Sequence, residues 1–290
     1  MKRFDYLAPQ NLTEALQMMA DRPEAIPLAG GTDILVQMKE AQRPVEALLS
    51  LKRVPEVHQI TQNGKLTLGA AVTAGQLATD PQIQQAYTAL ANGAGLIGSI
   101  QIRNMATVGG NLCNAAPSAD TAPPLLVLGA QAVIVSTPGE RMIPLEEFFL
   151  GPGRTVLQPG ELLKEIVVPQ PLARSGSCYL RQTPRAWMDI AVVGVAATIT
   201  LAADDTIAEA RLALGAVAPI PMRTTAAEKL LTGHTLTDDL LQEVGTAAAQ
   251  AAKPIDDLRA SADYRRHLVN ILTQRALRSA WAKAKDSQGA

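Results

Sequence analysis

Two glycine pairs limit what this chain can fold into more tightly than any other feature. They are Leu28-Ala29-Gly30-Gly31-Thr32-Asp33 and, about eighty residues later, Thr107-Val108-Gly109-Gly110-Asn111. Each lies beside apolar residues and carries a small hydroxyl side chain next to its glycines. Adjacent residues without Cβ atoms permit positive φ and let another group approach the backbone closely. The chain is therefore expected to turn sharply at both places with main-chain N–H groups open to a partner. Amides gathered in a concave turn can hold phosphate without Lys or Arg. Taken alone, each pair reads first as a plain turn; the anion-binding reading needs both.

Composition narrows the classes. The 290 residues are enough for one large domain or two modest ones around a buried core. Charged residues make up 18% and apolar residues 47%, ordinary for a globular protein. A net charge of -1 and 3% aromatics provide neither a basic field nor a stacking platform for nucleic acid. Cys113 and Cys178 stand far apart, and His58, His234 and His267 are dispersed. No metal ligands, zinc site or iron–sulfur cluster are therefore expected within the chain. There is no apolar run of about eighteen residues, and Met1-Lys2-Arg3-Phe4-Asp5-Tyr6 contains no signal-peptide core, so a cytoplasmic location is expected.

Local patterns predict mixed helix and strand. Asn11-Leu12-Thr13-Glu14 has the form of a capping box ahead of a short amphipathic helix. Strands are expected at 25–29, 47–51, 65–69, 131–136 and 161–168, and helices at 34–39, 70–77, 82–92 and 122–128. The Pro/Ser/Gly cluster from Pro169 to Ser177 reads as a linker. Beyond it, strands at 190–201 and 207–217 flank a hairpin at Ala202-Ala203-Asp204-Asp205, and helices follow at 225–231, 238–252 and 262–283. Strands first and helices afterwards predict an α+β second half.

Gly93-Ala94-Gly95-Leu96-Ile97-Gly98 satisfies G-x-G-x-x-G, but a helical segment precedes it where a dinucleotide fold requires a strand. Small residues at a close helix contact are the better reading. P-loop, G-x-S-x-G and H-E-x-x-H patterns do not occur.

The stretch Gln101-Ile102-Arg103-Asn104-Met105-Ala106-Thr107-Val108-Gly109-Gly110-Asn111, continuing to Asp120, closely resembles the FAD-binding (medium) subunit of the molybdenum hydroxylases, the xanthine, carbon monoxide and nicotinate dehydrogenase group. Leu28 to Ile34 resembles that family's first flavin loop. The likeness runs through Phe4-Asp5-Tyr6 with Pro9, Gly151-Pro152-Gly153-Arg154-Thr155, and Arg185 with Asp189-Ile190-Ala191. It implies an α+β chain, with a PCMH-type (vanillyl-alcohol-oxidase-like) FAD-binding domain at 1–170. A smaller C-terminal domain of the CO dehydrogenase flavoprotein type, antiparallel sheet plus helices, would occupy 171–290.

The resemblance also implies a site. Pro27, Leu28, Ala29, Gly30, Gly31, Thr32, Asp33 and Ile34 would wrap the FAD diphosphate and ribityl region, and Thr107, Val108, Gly109, Gly110 and Asn111 would form the second loop. Asp120 would accept hydrogen bonds from FAD hydroxyls, Ile97 and Leu163 would lie near the flavin, and Arg181 would bring a cation to the ring or else make a surface salt bridge. FAD would be non-covalent, because the first loop offers no His or Cys anchor. No residue of the chain would be catalytic. Substrate would be oxidised on a molybdopterin-binding large subunit, and a small subunit with [2Fe-2S] clusters would pass electrons to FAD and on to an external acceptor. The assembly implied is a dimer of heterotrimers. A freestanding FAD-dependent oxidoreductase with its own substrate site, and a flavin-free binding module, are the alternatives.

Overall fold

The computed structural model describes residues 3–41, 44–186 and 188–287. The chain forms two compact units, each assembled from separate stretches: Met1–Gln76, Ile100–Ala115 and Ala130–Pro169 in the first, and Leu77–Ser99, Ala116–Gly129 and Gln170–Ala290 in the second.

The first unit contains a three-stranded parallel sheet in which Ala47–Ser50 lies between Asp5–Leu7 and Ile26–Leu28. All four residues of the central strand are buried, as a strand covered on both faces must be. The helix Leu12–Asp21 covers it, sending Ala15 and Met19 into a core with Leu49 and Val54. Asn11 caps this helix by accepting from the Glu14 amide at 2.8 Å. The Glu14 carboxylate reaches back to the amide of Gln10 (2.6 Å), one residue short of the capping-box partner. A five-stranded antiparallel sheet completes the unit, in the order Ile60–Gln62, Lys65–Gly69, Leu162–Pro169, Gln131–Ser136 and Gly139–Pro144.

The second unit is α+β as its pattern predicts. Strands Ser175–Gln182, Val193–Leu201, Ile207–Gly215 and Met222–Arg223 form an antiparallel sheet. Helices Thr225–Leu231, Asp238–Ala251 and Ala262–Asp286 share its core, which includes Val195, Leu212, Val244, Val269 and Leu277. Shorter helices, Pro81–Ala86, Thr88–Gly95 and Ala122–Val127, belong to the same unit. Among the described residues no helix is long and apolar enough to cross a membrane.

Several local expectations are corrected. The helix expected from 70 begins only at Ala74. Ala70 and Ala71 instead donate to the carbonyls of Lys164 and Val57, both at 2.8 Å, so long-range pairing overrides the helix propensity of alanine. The helix expected over 82–92 is two, broken at Tyr87, whose φ of -122° and ψ of 47° leave the helical region. A short helix, Ile100–Arg103, stands where none was expected. Gly176 and Ser177, placed in the linker, belong to the strand Ser175–Gln182. The second glycine segment is not a loop: Thr107 caps, and Val108 to Asn111 open, the helix Val108–Asn114.

Candidate functional site

In the first unit the strand Ile26–Leu28 delivers the chain into the first glycine pair, and the helix Ile34–Lys39 leads away from it. Gly31 takes φ +74°, the left-handed region that disfavours a side chain. Gly31 and Asp33 give their carbonyls to Leu35 (3.2 Å) and Gln37 (3.0 Å). The amides of Gly30, Gly31, Thr32, Asp33 and Ile34 have no acceptor among the described residues. Five successive main-chain donors around a left-handed glycine are the arrangement that binds an anion through backbone N–H groups.

The two glycine segments meet. A Cβ on Gly30 would overlap the Met105 carbonyl oxygen and stand 2.6 Å from its carbon, while one on Gly110 would lie 4.0 Å from the Ala29 Cβ. Yet the second segment does not carry the bare amides expected of it. Val108 donates to the Val72 carbonyl (2.9 Å), Gly109 to that of Ala70 (2.9 Å) and Asn111 to that of Thr107 (2.9 Å). Gly110 donates to the Thr107 hydroxyl at 3.1 Å. Gly109 is glycine because backbone lies on backbone: a Cβ there would come within 2.5 Å of the Ala70 Cβ and 2.6 Å of its carbonyl oxygen. This pair fixes the floor beneath the first loop, and donor capacity belongs to the first loop. Nearby, burial pushes the Cys113 thiol up to about 12, which favours its protonated form. Leu163 is buried in the strand Leu162–Pro169 of the same unit.

In the second unit Asp120 is buried and accepts two hydrogen bonds, one from the Tyr179 hydroxyl at 2.7 Å and one from Arg181 Nη1. Tyr179 and Arg181 are two apart on the strand Ser175–Gln182 and so share a face. The G-x-G-x-x-G stretch makes room for the Asp120 main chain: Gly93 lies in the helix Thr88–Gly95, where a Cβ would overlap the Asp120 carbonyl oxygen. The reading of those glycines as helix-contact residues therefore holds at Gly93. Ile97, half-buried, follows the same helix. Arg181 makes no surface salt bridge; its side chain is 4% exposed, and its Nη2 is buried with no acceptor. A buried donor or acceptor without a partner costs about 1–3 kcal/mol, a cost that Arg265 Nε and Glu56 Oε2 also carry.

Burial pushes the Asp120 carboxyl up, while the Arg181 charge and the hydrogen bonds from Tyr179 and Arg181 pull it back. Burial, and then the Asp120 charge, hold the Tyr179 phenol well above its ordinary 10.0. A phenol whose pKa is raised by folding favours the fold fully below pH 10.0, and that contribution is lost as the pH climbs through the folded value. The tyrosinate absorbance of the native protein minus that of Tyr179→Phe is thus expected to stay flat past pH 10.0 and rise only as the protein unfolds. A difference curve centred at the ordinary value would contradict the buried pair.

Tyr179 was not singled out by sequence reasoning, and only its place two residues before Arg181 on a strand could have signalled it. Among the described residues no group of three or more His, Cys, Asp or Glu side chains could hold a metal ion.

Comparison with known proteins agrees across the chain. The family model described as the FAD binding domain in molybdopterin dehydrogenase matches residues 2–171, and that of the CO dehydrogenase flavoprotein C-terminal domain matches residues 178–280. The xanthine dehydrogenase FAD-binding subunit of Escherichia coli O157:H7 is 36% identical over 282 residues, covering 96% of each chain. The carbon monoxide dehydrogenase medium chain of Hydrogenophaga pseudoflava is 32% identical over 283 residues, 97% of this chain and 98% of the relative. Among solved structures, carbon monoxide dehydrogenase from Hydrogenophaga pseudoflava superposes with a TM-score of 0.93 at 32% identity over 97% of this chain and 98% of that one. Quinoline 2-oxidoreductase from Pseudomonas putida 86 gives 0.92 at 30% identity over 98% and 99%.

Proposed function

The chain belongs to the family of FAD-binding subunits of molybdopterin dehydrogenases, and from that membership we propose that it is the electron-transfer subunit of a molybdenum hydroxylase complex. When bound, FAD supplies a centre that takes up electrons and passes them on, a chemistry that is the cofactor's own. The chain supplies binding, orientation and charge. The observation that carries the local reading is the run of unpartnered amides from Gly30 to Ile34. Those donors hold the FAD diphosphate directly.

In the same unit Pro27, Leu28 and Ala29 lead the chain into the amide run, Thr107 to Asn111 hold its floor, and Leu163 offers an apolar surface. Ile97, Asp120 and Arg181 are also proposed as FAD-binding residues, Asp120 accepting from hydroxyls and Arg181 bringing a cation to the ring. Binding is non-covalent. The division into a FAD-binding domain at 1–170 and a C-terminal domain at 171–290 is part of this reading.

In the complex a molybdopterin-binding large subunit oxidises the substrate. A [2Fe-2S] small subunit delivers electrons to this chain's FAD, and an external acceptor removes them. The similarity to medium chains and FAD-binding subunits of dehydrogenases supports the division of labour. A dimer of such heterotrimers in the cytoplasm is the assembly proposed. The test is purification of the chain alone and of the native complex. The isolated chain should release about one FAD per chain on denaturation and turn over no substrate by itself. The native complex should contain molybdenum and iron in its other chains. A colourless chain that cannot be reconstituted with FAD, or turnover without partners, would overturn the proposal.

A further inference from the structure

We propose that Asn63 is a modification site, independent of FAD, at which the Gly64 main-chain nitrogen closes on the Asn63 side-chain amide and releases ammonia. Two of the chain's asparagines precede glycine, Asn63 and Asn92. In both pairs the nitrogen that would attack belongs to a residue with no Cβ to crowd it. The fold separates them. Asn63 and Gly64 form the tip between the strands Ile60–Gln62 and Lys65–Gly69, beyond the paired residues Gln62 and Leu66. Residues 61 to 65 are all exposed. The Asn63 main-chain N–H donates to the Lys65 carbonyl at 3.2 Å. The Asn63 side chain and the Gly64 N–H, the two groups that would react, have no partner among the described residues. Gly64 takes φ +68° with nothing within 4 Å of its Cβ position, so no neighbour resists rotation of the tip.

Asn92 has the same neighbour without the freedom. It lies inside the helix Thr88–Gly95, whose ladder engages the Gly93 N–H. Gly93 is buried, with the Asp120 main chain against it. Ring closure at Asn92 requires the helix to break, whereas at Asn63 it requires only a turn of the tip. A bond forms between Gly64 N and Asn63 Cγ, the Cγ–Nδ2 bond breaks, and the proton of the Gly64 N–H leaves with Nδ2 as ammonia. Water then opens the imide ring at one of its two carbonyls, and no electrons are exchanged. Opening at Cγ leaves an aspartyl residue. Opening at the main-chain carbonyl leaves an isoaspartyl residue, whose backbone runs through Cβ and Cγ. Either product adds a carboxylate two residues from exposed Lys65. The isoaspartyl form also lengthens the link to the strand that carries Leu66 and Leu68, both fully buried.

The test incubates the full-length chain, native and in denaturant, in mildly alkaline buffer, because the Gly64 nitrogen attacks once its proton is removed. Mass spectrometry after proteolysis follows both Asn–Gly peptides, each conversion exchanging an amide NH2 for OH. The isoaspartyl product is read separately by the labelled methyl group it accepts from S-adenosylmethionine through an isoaspartyl methyltransferase. In the native chain Asn63 is expected to convert at least tenfold faster than Asn92, a barrier lower by ~1.4 kcal/mol. In denaturant both should convert at like rates, because only the fold distinguishes them. Gly64→Ala, whose Cβ crowds the attacking nitrogen, is expected to slow conversion at Asn63 about tenfold and to reduce the methyl label in proportion. If Asn63 stays intact in the native chain while converting in denaturant, the hairpin protects it and the proposal falls. Equal rates at Asn63 and Asn92 in the native chain, or native conversion unaffected by Gly64→Ala, would overturn it as well.

Discussion

Gly30→Ala is expected to leave a folded chain that purifies without FAD. The added Cβ would overlap the Met105 carbonyl oxygen, and would lie 2.6 Å from the Met105 carbonyl carbon and 3.1 Å from the Ala106 Cα. These are main-chain atoms, and no rotamer change moves them aside. They cannot retreat either, because Val108 and Gly109, just beyond, are pinned to the carbonyls of Val72 and Ala70 at 2.9 Å. The first loop must give way, and with it the orientation of the five amides from Gly30 to Ile34. A hydrogen bond to a charged group is worth about 1.5–3 kcal/mol, so losing two weakens FAD binding about a thousandfold. The stability loss from overpacking one such site is smaller, about 1–3 kcal/mol. Gly64→Ala is the control in the same unit. Gly64 has φ +68° but nothing within 4 Å of its Cβ position, so only backbone strain of about 1–2 kcal/mol applies. Flavin absorbance and FAD released on denaturation measure the contrast. A Gly30→Ala chain carrying as much FAD as Gly64→Ala would show that the amide run is not the diphosphate site.

That prediction uses a glycine the sequence marked for a reason only partly right. Period and turn chemistry made most elements legible: the Asn11 cap, the strands around Leu48 and Leu68, and the strand-then-helix order of the second unit. The glycine pairs were legible as special positions. What each glycine does was not, because the partner of a main-chain N–H is a long-range fact. Gly109 and Gly110 look as bare as Gly30 and Gly31 in sequence, yet their amides are spent on Ala70 and Thr107. Ala70 misled for the same reason, since its strand-like contacts come from residues far along the chain. In the second unit Asp120 and Arg181 were marked by resemblance, but their buried pairing, and the tyrosine that shares it, arise only when two distant segments fold together. A phenol in a strand carries no sign of which carboxylate it will meet.

Gly176→Val is expected to cause the largest loss of stability in the second unit. In sequence Gly176 sits in a Pro/Ser/Gly cluster and reads as linker. In the fold it is fully part of the strand Ser175–Gln182, pairing with Ile199, and the helix Ala262–Asp286 lies directly on it. A Cβ at 176 would overlap the Ala280 carbonyl oxygen and come within 2.5 Å of the Ala284 nitrogen and 2.7 Å of the Lys283 Cβ. The helix meets the strand through Ala276, Ala280 and Ala284, all fully buried, so there is no flexible side chain to absorb the intrusion. Lys283 also fastens the two elements by donating to the Ser177 carbonyl at 3.2 Å. Valine brings three carbons into this contact, and the helix must lift, loosening Leu272 and Leu277 from the core they share with Val195 and Leu212. Overpacking of this kind costs about 3 kcal/mol, which lowers Tm by roughly 10 °C for a domain of this size. Gly233→Ala separates the cause. Gly233 has φ +84° but open space around it, so its cost is backbone strain alone, about 1–2 kcal/mol. If Gly176→Val melts no earlier than Gly233→Ala, helix and strand do not touch as described. If it melts far earlier, the small residue serves the approach of two backbones, and the segment read as a linker is where the helix Ala262–Asp286 is seated.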